Sequence, residues 1–351
     1  MVENIYQYNF TIRKVKKILS EKYSLLGKVS NLKLFDNNGQ NSIIFYFTCS
    51  KNKYLIKIIE EPDKIYGKKD SQKRLLTITN IISKLSKKYQ IEKFIKNDFG
   101  KYTTNYKKSI LRVTEYIEHN KINKKNLLKK SIHVLSKVHQ EFWAELNIKD
   151  KENLKHLKIP YNLNYSLRKK IDIKIFFNKV IKKNDNNIYT TNIKKIMKRY
   201  TLLSTWADEI KKIEKKNFFH HQSFTHNDFH PENIVLDKKN RIHLLDFDNI
   251  QYSQTFRCLY FFLLRFAFYK KNTNIKNLKY AYGLLKKNYY TEIPDYHTSL
   301  KFLLYVEIEK IFKILCRISE SNGLEIFIKK IISVHLPNVI FLINQIKKNE
   351  Q

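Results

Sequence analysis

Three polar residues frame one short segment of the chain, which reads FTHNDFHPENIVLDKKNRIHLLDFDN over positions 224–249. Asn233 follows Asp228 by five residues, and Asp246 follows Asp228 by 18 residues. The apolar runs on either side of the polar turn DKKN predict two short strands. Polar groups placed just before and just after a tight hairpin lie close together. We therefore expect the three side chains to converge.

This set of side chains suits phosphoryl transfer from a magnesium nucleotide. Mg²⁺ prefers carboxylate and amide oxygens and takes one or two of its ligands from protein, which Asn233 and Asp246 would supply. A separate carboxylate, Asp228, would orient the attacking hydroxyl and accept its proton. An Asp before a turn is also a common cap. Zinc bound by the nearby histidines is a further alternative, although it leaves Asn233 and Asp246 without a role. The histidines are His220, His221, His226 and His230.

Two consecutive motifs carry a resemblance to a known group of enzymes. Residues 226–233 match the catalytic loop of the aminoglycoside phosphotransferase/choline kinase superfamily, and residues 245–248 resemble its metal-binding segment. Among its members, the chain looks most similar to the spore-coat kinase-like and homoserine kinase-like proteins. The resemblance implies a two-lobed, protein-kinase-like α+β fold. A small N-terminal antiparallel-sheet lobe would bind ATP, and a larger, mostly helical C-terminal lobe would hold the catalytic loop and the acceptor site.

The N-terminal third has the patterns of a small sheet. Residues 43–49 and 54–59 are rich in β-branched and aromatic side chains and predict a hairpin. Residues 70–89 have apolar positions at helical spacing, and 101–106 and 110–114 again look like strands. These patterns predict a nucleotide-binding lobe over residues 1–118. The helix has its apolar stripe at Leu75, Ile78, Ile82 and Leu85.

From about residue 120 the pattern is mostly helical, which predicts a second lobe over residues 119–351. Stripes of apolar residues indicate helices over 127–143 and 193–213, and both stripes are typical of core. The Lys/Asn-rich segment 182–192 predicts a loop or insertion. The remainder, 255–348, predicts further helices.

The resemblance also assigns nucleotide-binding residues. Lys57, inside the apolar strand YLIKII, would contact the ATP phosphates. Gly39 and Asn41 lie in the segment GQNS, which resembles the family's nucleotide loop. Glu115 and Ile117 would offer backbone groups to the adenine ring at the hinge between the lobes, where His119 replaces the usual glycine.

Apart from the histidine at the hinge and a general scarcity of glycine, the sequence departs from the family pattern in two places. No Glu occurs between residues 62 and 91, where a helix carboxylate usually pairs with the strand lysine, and Asp70 is the candidate substitute. The Asp-Leu pair that braces the catalytic loop in the family is missing or shifted, because the corresponding segment reads TFRCL at 255–259. These departures motivate an alternative in which the chain is a weak or inactive kinase-fold protein with a structural role, for example in a spore coat or envelope.

Composition limits the partners. The 351 residues carry a net charge of +36, which disfavours a polycationic acceptor and leaves a neutral or anionic small-molecule hydroxyl. Charge alone would also suit nucleic acid, but no nucleic-acid-binding motif is present. The six glycines are isolated, which excludes a G-x-G-x-x-G loop and a Walker A loop. Three distant cysteines and the lack of a membrane-spanning run predict a cytoplasmic protein.

Overall fold

The computed structural model describes residues 10–35, 42–60, 62, 71–119, 124–157, 175, 177–179, 188–213, 221–267, 275–321, 328 and 331–350. The predicted α+β class is confirmed: an antiparallel sheet occupies the N-terminal part, and helices dominate the C-terminal part.

Contacts within the chain define two compact units. Unit 1 comprises Met1–Ile122, Ala144–Lys158 and Glu232–Ile250, and unit 2 comprises Asn123–Trp143, Ile159–Pro231 and Gln251–Gln351. The hairpin after Asn233 therefore belongs to the same unit as the sheet. A division of the chain into lobes at residue 118 stays a prediction.

The sheet of unit 1 is antiparallel, with strand order β1-β2-β3-β6-β4 and with β5 paired to β6. The predicted strands at 43–49, 54–59, 101–106 and 110–114 are present, with β5 shorter than expected. The strands are β1 (Val29–Leu34), β2 (Ile43–Cys49), β3 (Asn52–Glu60), β4 (Phe94–Ile95), β5 (Thr104–Tyr106) and β6 (Ser109–Glu115).

Buried and partly exposed side chains alternate along β2, and the buried ones form part of the core of unit 1. Successive side chains of a strand point to opposite faces, and every second residue of β2, starting from Ile43, is buried. Helix α1 (Ile12–Lys22) adds a buried stripe to this cluster. Helix α2 (Ser71–Leu85) buries the four apolar residues of its predicted stripe. Helix α4 (Ile148–His156) also lies in unit 1.

The second hairpin of unit 1 is formed by β8 (Ile234–Leu236) and β9 (Ile242–Leu244). The segment before β4 is hydrogen-bonded to β9. The Glu92 N–H donates to the Leu244 carbonyl at 3.0 Å, and the Leu244 N–H donates to the Gln90 carbonyl at 3.2 Å. The hairpin predicted from the apolar runs therefore forms, and backbone hydrogen bonds fix its position within the unit.

Unit 2 contains the remaining helices and one short pair of strands. Strand β7 (Gln222–Thr225) pairs with β10 (Gln251–Gln254). Residues 226–233, which resemble the catalytic loop, therefore follow directly after a strand. The helices are α3 (Lys124–Lys137), α5 (Ile188–Ile213), α6 (Thr255–Ala267), α7 (Ile275–Asn288), α8 (Tyr296–Ser321) and α9 (Leu336–Lys348).

The expectation of a loop over 182–192 is wrong for its last five residues, because α5 begins at Ile188. No Gly or Pro lies between Ile188 and Ile193, and the helix continues N-terminally from the buried positions Ile193 and Ile196. None of the described helices is long and apolar enough to cross a membrane.

The predicted helix 127–143 is interrupted by a wider turn. Helix α3 ends at Lys137, and Val138–Phe142 forms a single π turn. The Ser223 hydroxyl donates to the His139 carbonyl, and His139 Nδ1 lies 2.6 Å from the Tyr289 hydroxyl. The π turn therefore places the carbonyl of His139 against strand β7 and its ring against Tyr289, which follows α7 in the same unit.

His139 should make the stability of unit 2 sensitive to acid. Burial, with the charges of His221 and His226, lowers the pKa of His139 from 6.5 to about 3. The unfolded chain then binds the extra proton between these values, so the free energy of unfolding falls as the pH drops through this window. We expect a loss of up to about 5 kcal/mol below pH 6.5. Urea denaturation at pH 7 and pH 4.5 measures it.

The His139→Asn variant should be less stable at pH 7 but should lose less stability on acidification than the wild type. His133→Asn, which changes an exposed histidine on the same helix, is the matched control and should keep the wild-type pH dependence. Equal pH dependence in wild type and His139→Asn would contradict the prediction.

Candidate active site

Lys57 lies in the middle of β3, between the fully buried Ile56 and Ile58. Because side chains alternate along a strand, the lysine points to the other face of the sheet. Its Nζ lies 2.7 Å from Asp246 Oδ1 and 2.8 Å from Asp248 Oδ2. The structure therefore brings together two predicted site residues, Lys57 and Asp246, and adds one that was not predicted.

Asp246 opens a short 3₁₀ turn directly after β9. Its backbone is left-handed, with φ 60° and ψ 60°, a conformation that Asp tolerates better than most residues. The Phe247 N–H donates to Glu92 Oε1 at 3.1 Å, and the Ile250 N–H donates to the Phe247 carbonyl at 3.2 Å. These bonds fix the turn that presents the Asp246 carboxylate.

Asp248 is buried in this turn, with 4% of its surface exposed. Its carboxylate accepts hydrogen bonds from Lys57 and from Arg112, which lies opposite Lys57 on β6. Burial alone would raise the pKa of Asp248, but the charges of Arg112 and Lys57 outweigh it and hold this pKa well below the ordinary value. Arg74 of α2 donates to the carbonyls of Asp248 and Ile250 at 3.4 Å and 3.3 Å.

The sequence contains a signal for this cluster that was not used. Arg112 interrupts the apolar strand SILRV just as Lys57 interrupts YLIKII, and a charge within a buried strand needs a partner. Asp70, the candidate partner for Lys57, lies outside the described residues. Among the described residues, two carboxylates that pair with the lysine come from the segment after β9.

Asn233 lies at the start of the same hairpin. It ends a 3₁₀ turn before β8, is nearly buried, and accepts a hydrogen bond at its carbonyl from the Leu245 N–H at 2.9 Å. The backbone of Asn233 is therefore bonded to the residue that precedes Asp246. The backbones of Asn233 and Asp246 therefore lie near each other at one end of the hairpin, and the convergence of the three side chains stays a prediction.

An amide and a carboxylate at one end of a hairpin are a donor set that fits Mg²⁺, which takes few protein ligands. Within the described parts of the chain, no group of three or more His, Cys, Asp or Glu side chains could hold a metal ion. The histidine-rich zinc alternative has no such cluster there, and His220 lies outside the described residues.

Asp228 belongs to unit 2, in the loop that follows β7. Its Oδ1 lies 3.6 Å from His230 Nε2. Burial alone would raise the pKa of Asp228, but His230 and the charge of Lys310 hold this pKa well below the ordinary value. Asp228 is therefore an ionised carboxylate at neutral pH and can accept a hydrogen bond from a hydroxyl group.

Aromatic packing anchors this loop. Asn227 is left-handed, with φ 56°, and its Nδ2 donates to Thr225 Oγ1 at 2.8 Å. Phe229 is fully buried, and its ring lies 5.4 Å from the Phe262 ring in an edge contact. His226 is also fully buried and makes an edge contact with Phe229 at 5.9 Å. Residues on both sides of Asp228 are thus fixed in the core of the unit.

Cys258 lies in the segment at which the family resemblance places the Asp-Leu pair. The backbone N–H groups of His226 and Asn227 donate to its sulfur, and burial raises the pKa of the thiol to about 12. The Asp-Leu pair is absent from this place, and a buried thiol from α6 contacts the backbone of the loop there.

The predicted adenine-binding segment follows β6. The Glu115 N–H donates to the Lys93 carbonyl at 3.0 Å, so its backbone donor is used within the unit. The Ile117 carbonyl lies 3.0 Å from His119 Nδ1. Two further predicted residues, Gly39 and Asn41, lie outside the described residues.

No protein-family model matches the sequence, and no curated protein matches it. Solved structures do match. A spectinomycin phosphotransferase in complex with ADP and spectinomycin has a TM-score of 0.67 at 14% identity, over 95% of this chain and 98% of that one. An amicoumacin kinase in complex with AMP-PNP and Ca²⁺ has a TM-score of 0.60 at 16% identity, over 90% and 92%.

A choline kinase from Streptococcus pneumoniae has a TM-score of 0.57 at 12% identity, over 95% of this chain and 99% of that one. The chain has the protein-kinase-like fold of the aminoglycoside phosphotransferases and choline kinases. Because each structure covers at least nine-tenths of this kinase-fold chain, the likeness extends over both parts. At these identities it establishes the fold.

Glu92 should make the kinase fold less stable as the pH rises. Burial, with the charges of Asp248 and Asp246, raises the pKa of Glu92 from 4.5 to about 7, against the opposing effect of Arg112 and Lys57. The folded chain then binds more protons than the unfolded chain between pH 4.5 and 7, so the free energy of unfolding falls as pH rises through this window. The full loss is up to about 3 kcal/mol.

Glu92→Gln cannot ionise and should therefore gain stability relative to the wild type between pH 5 and pH 8, measured by urea denaturation without metal. Glu21→Gln, an exposed change on α1, should show no such gain. A constant difference between Glu92→Gln and wild type across this range would contradict the assignment.

Proposed function

We propose that this protein is an ATP-dependent phosphotransferase that moves the γ-phosphoryl group to a hydroxyl of a small molecule. The contact between Lys57 and Asp246 carries the proposal, because it joins the strand lysine to the carboxylate that follows the hairpin. A lysine for the phosphates and a carboxylate for the metal are the two parts that this chemistry requires near each other.

Each predicted residue receives a role in this proposal. Asn233 and Asp246 would hold Mg²⁺, which neutralises charge on the phosphates of ATP. Lys57 would bind the phosphates. Gly39 and Asn41 would line the nucleotide loop. Glu115 and Ile117 would offer backbone groups to the adenine ring, although the N–H of Glu115 already donates to the Lys93 carbonyl.

Asp228 would orient the acceptor hydroxyl and accept its proton. Its ionised state at neutral pH suits hydrogen bonding to a neutral hydroxyl. His230 lies beside it and would hold the carboxylate in one direction. Because the pKa of Asp228 is low, the residue acts mainly by orientation and receives the proton as the transferred group leaves ATP.

The acceptor is proposed to be neutral or anionic and not a polycation. The chain carries a net charge of +36, and Lys310 and His230 both act on Asp228 itself. A polycation would be repelled by these groups. A metabolite, sugar or polyol hydroxyl fits these conditions, and the cytoplasm would supply the ATP.

The alternative is a kinase-fold protein with a structural or binding role. It was motivated by the missing helix carboxylate and the missing brace. Lys57 is paired with two other carboxylates, and Cys258 contacts the catalytic-loop backbone, so both motives are weaker than the sequence indicated.

Removing Asp228 or Asp246 should abolish transfer for different reasons. Asp228→Ala should lower acceptor-stimulated ATP consumption by about 10²-fold or more and leave the Kd for Mg²⁺-ATP near the wild-type value. Asp246→Ala should weaken metal-dependent ATP binding. A coupled assay over a panel of sugars, polyols and hydroxy acids measures consumption, and calorimetric titration measures Kd.

Asp208→Ala, an exposed change on α5, is the control for the loss of one carboxylate and should match the wild type. If Asp228→Ala and Asp246→Ala also consume ATP at the wild-type rate, the proposed function is wrong.

Mg²⁺-ATP should stabilise the wild-type protein, because a ligand that binds only the folded state raises the free energy of unfolding. At 100 times Kd the gain is about 2.7 kcal/mol, which corresponds to a Tm increase of a few degrees in a thermal shift assay. Chelation of the metal with EDTA should remove the increase. An unchanged Tm with Mg²⁺-ATP would favour the structural role.

A further inference from the structure

Three cations from three elements of unit 1 converge on the turn after β9. Lys57 comes from β3, Arg112 from β6 and Arg74 from α2. Each of them bonds to Asp248: Lys57 and Arg112 through the carboxylate, and Arg74 through the backbone carbonyl. Asp248 is therefore the common partner of all three.

The carboxylate of Asp248 is nearly inaccessible, with 5% of the side chain exposed, and so is the Arg112 side chain, at 2%. A buried charge is tolerated only when it is paired and hydrogen-bonded. Arg112 is held in turn by the strand register, because it lies opposite Lys57 in the β3–β6 ladder, and its guanidinium lies 5.2 Å from the centre of the Phe94 ring. The position of Asp248 is thus fixed from two sides.

Lys57 differs from the two arginines in being more open to solvent, with 20% of its side chain exposed. It contacts Asp246, which is 36% exposed, and the buried Asp248. A lysine side chain has many rotamers, so it must be held in one of them to meet a phosphate. Of the two carboxylates, Asp248 is the one that is itself immobilised.

We propose that Asp248, fixed by Arg112 and Arg74, is a positioning residue that orients Lys57 toward the nucleotide phosphates and so replaces a carboxylate from helix α2. The inference rests on the proposed function. It follows from the composition of α2, which offers Arg74 and no Glu, and from the 2.8 Å contact between Asp248 and Lys57. Asp246 could then bind a metal ion while Asp248 still holds Lys57.

The effect of Asp248 on nucleotide binding should pass through Lys57. We expect Asp248→Asn to raise the Kd for Mg²⁺-ATP about tenfold and Lys57→Ala to raise it by a similar factor. The double variant should also have a Kd about tenfold above that of the wild type, and not a hundredfold above it. The effects of two residues that act through one contact are not additive. Calorimetric titration gives the three values and needs no acceptor.

Asp237→Asn is the matched control. Asp237 is also a buried aspartate of unit 1, at 7% exposure, but it accepts its hydrogen bonds from Lys239, Arg241 and His243 in the β8–β9 turn. Its loss should lower stability and leave the Kd within about twofold of wild type. Circular dichroism checks that each variant is folded.

Arg112→Lys provides a second variant if Asp248→Asn does not fold. It keeps the charge but has a single terminal amine in place of the guanidinium fork that reaches Asp248. Arg112→Lys alone should raise the Kd for Mg²⁺-ATP. Combined with Lys57→Ala, it should leave the Kd at the value of Lys57→Ala. A wild-type Kd in the folded variants, or additive losses with Lys57→Ala, would overturn the positioning role while the proposed function stands. No Mg²⁺-ATP binding by the wild type would overturn the proposed function and this role together.

Discussion

The burial of one carboxylate, Asp248, constrains much of unit 1. Leaving a buried charge unpaired costs about 3–5 kcal/mol, which is a large share of the stability of a domain. Two cationic side chains from neighbouring strands prevent this cost, and a third from α2 holds the adjoining backbone. The register of β3 and β6, the position of α2 and the turn after β9 must therefore be such that all three cations reach Asp248 at once. The residues of the candidate site depend on that arrangement.

Local patterns were enough to predict most of the elements and the central side chains of the site. The alternation in β2 and the stripe on α2 each reflect a period that is visible within a few residues. Lys57 stood out because it interrupts an apolar strand, and Asp246 because it follows one. Both features are local, and the ion pair between the two residues agrees with the roles predicted for them.

The remaining parts of the site depend on contacts that no short pattern contains. Arg112 lies 136 residues from Asp248 in the chain, and Arg74 lies 174 residues from it. Their pairing follows from the β3–β6 register and from the packing of α2, which only the folded chain defines. The sequence pointed to a missing helix carboxylate, whereas the fold pairs the lysine from another direction. The start of α5 was misplaced because its first turn is rich in polar residues that resemble a loop.

Cys258 gives the loop around Asp228 a support without charge. A carboxylate in its place would hold the same two N–H groups by attraction between an ion and dipoles, and protonation of the carboxylate in acid would weaken that attraction. A buried thiol that stays protonated has no charge to screen or to titrate, and its sulfur is a weak acceptor that relies on close packing. The support that position 258 gives to this loop should therefore depend on the volume of its side chain and hardly at all on acid.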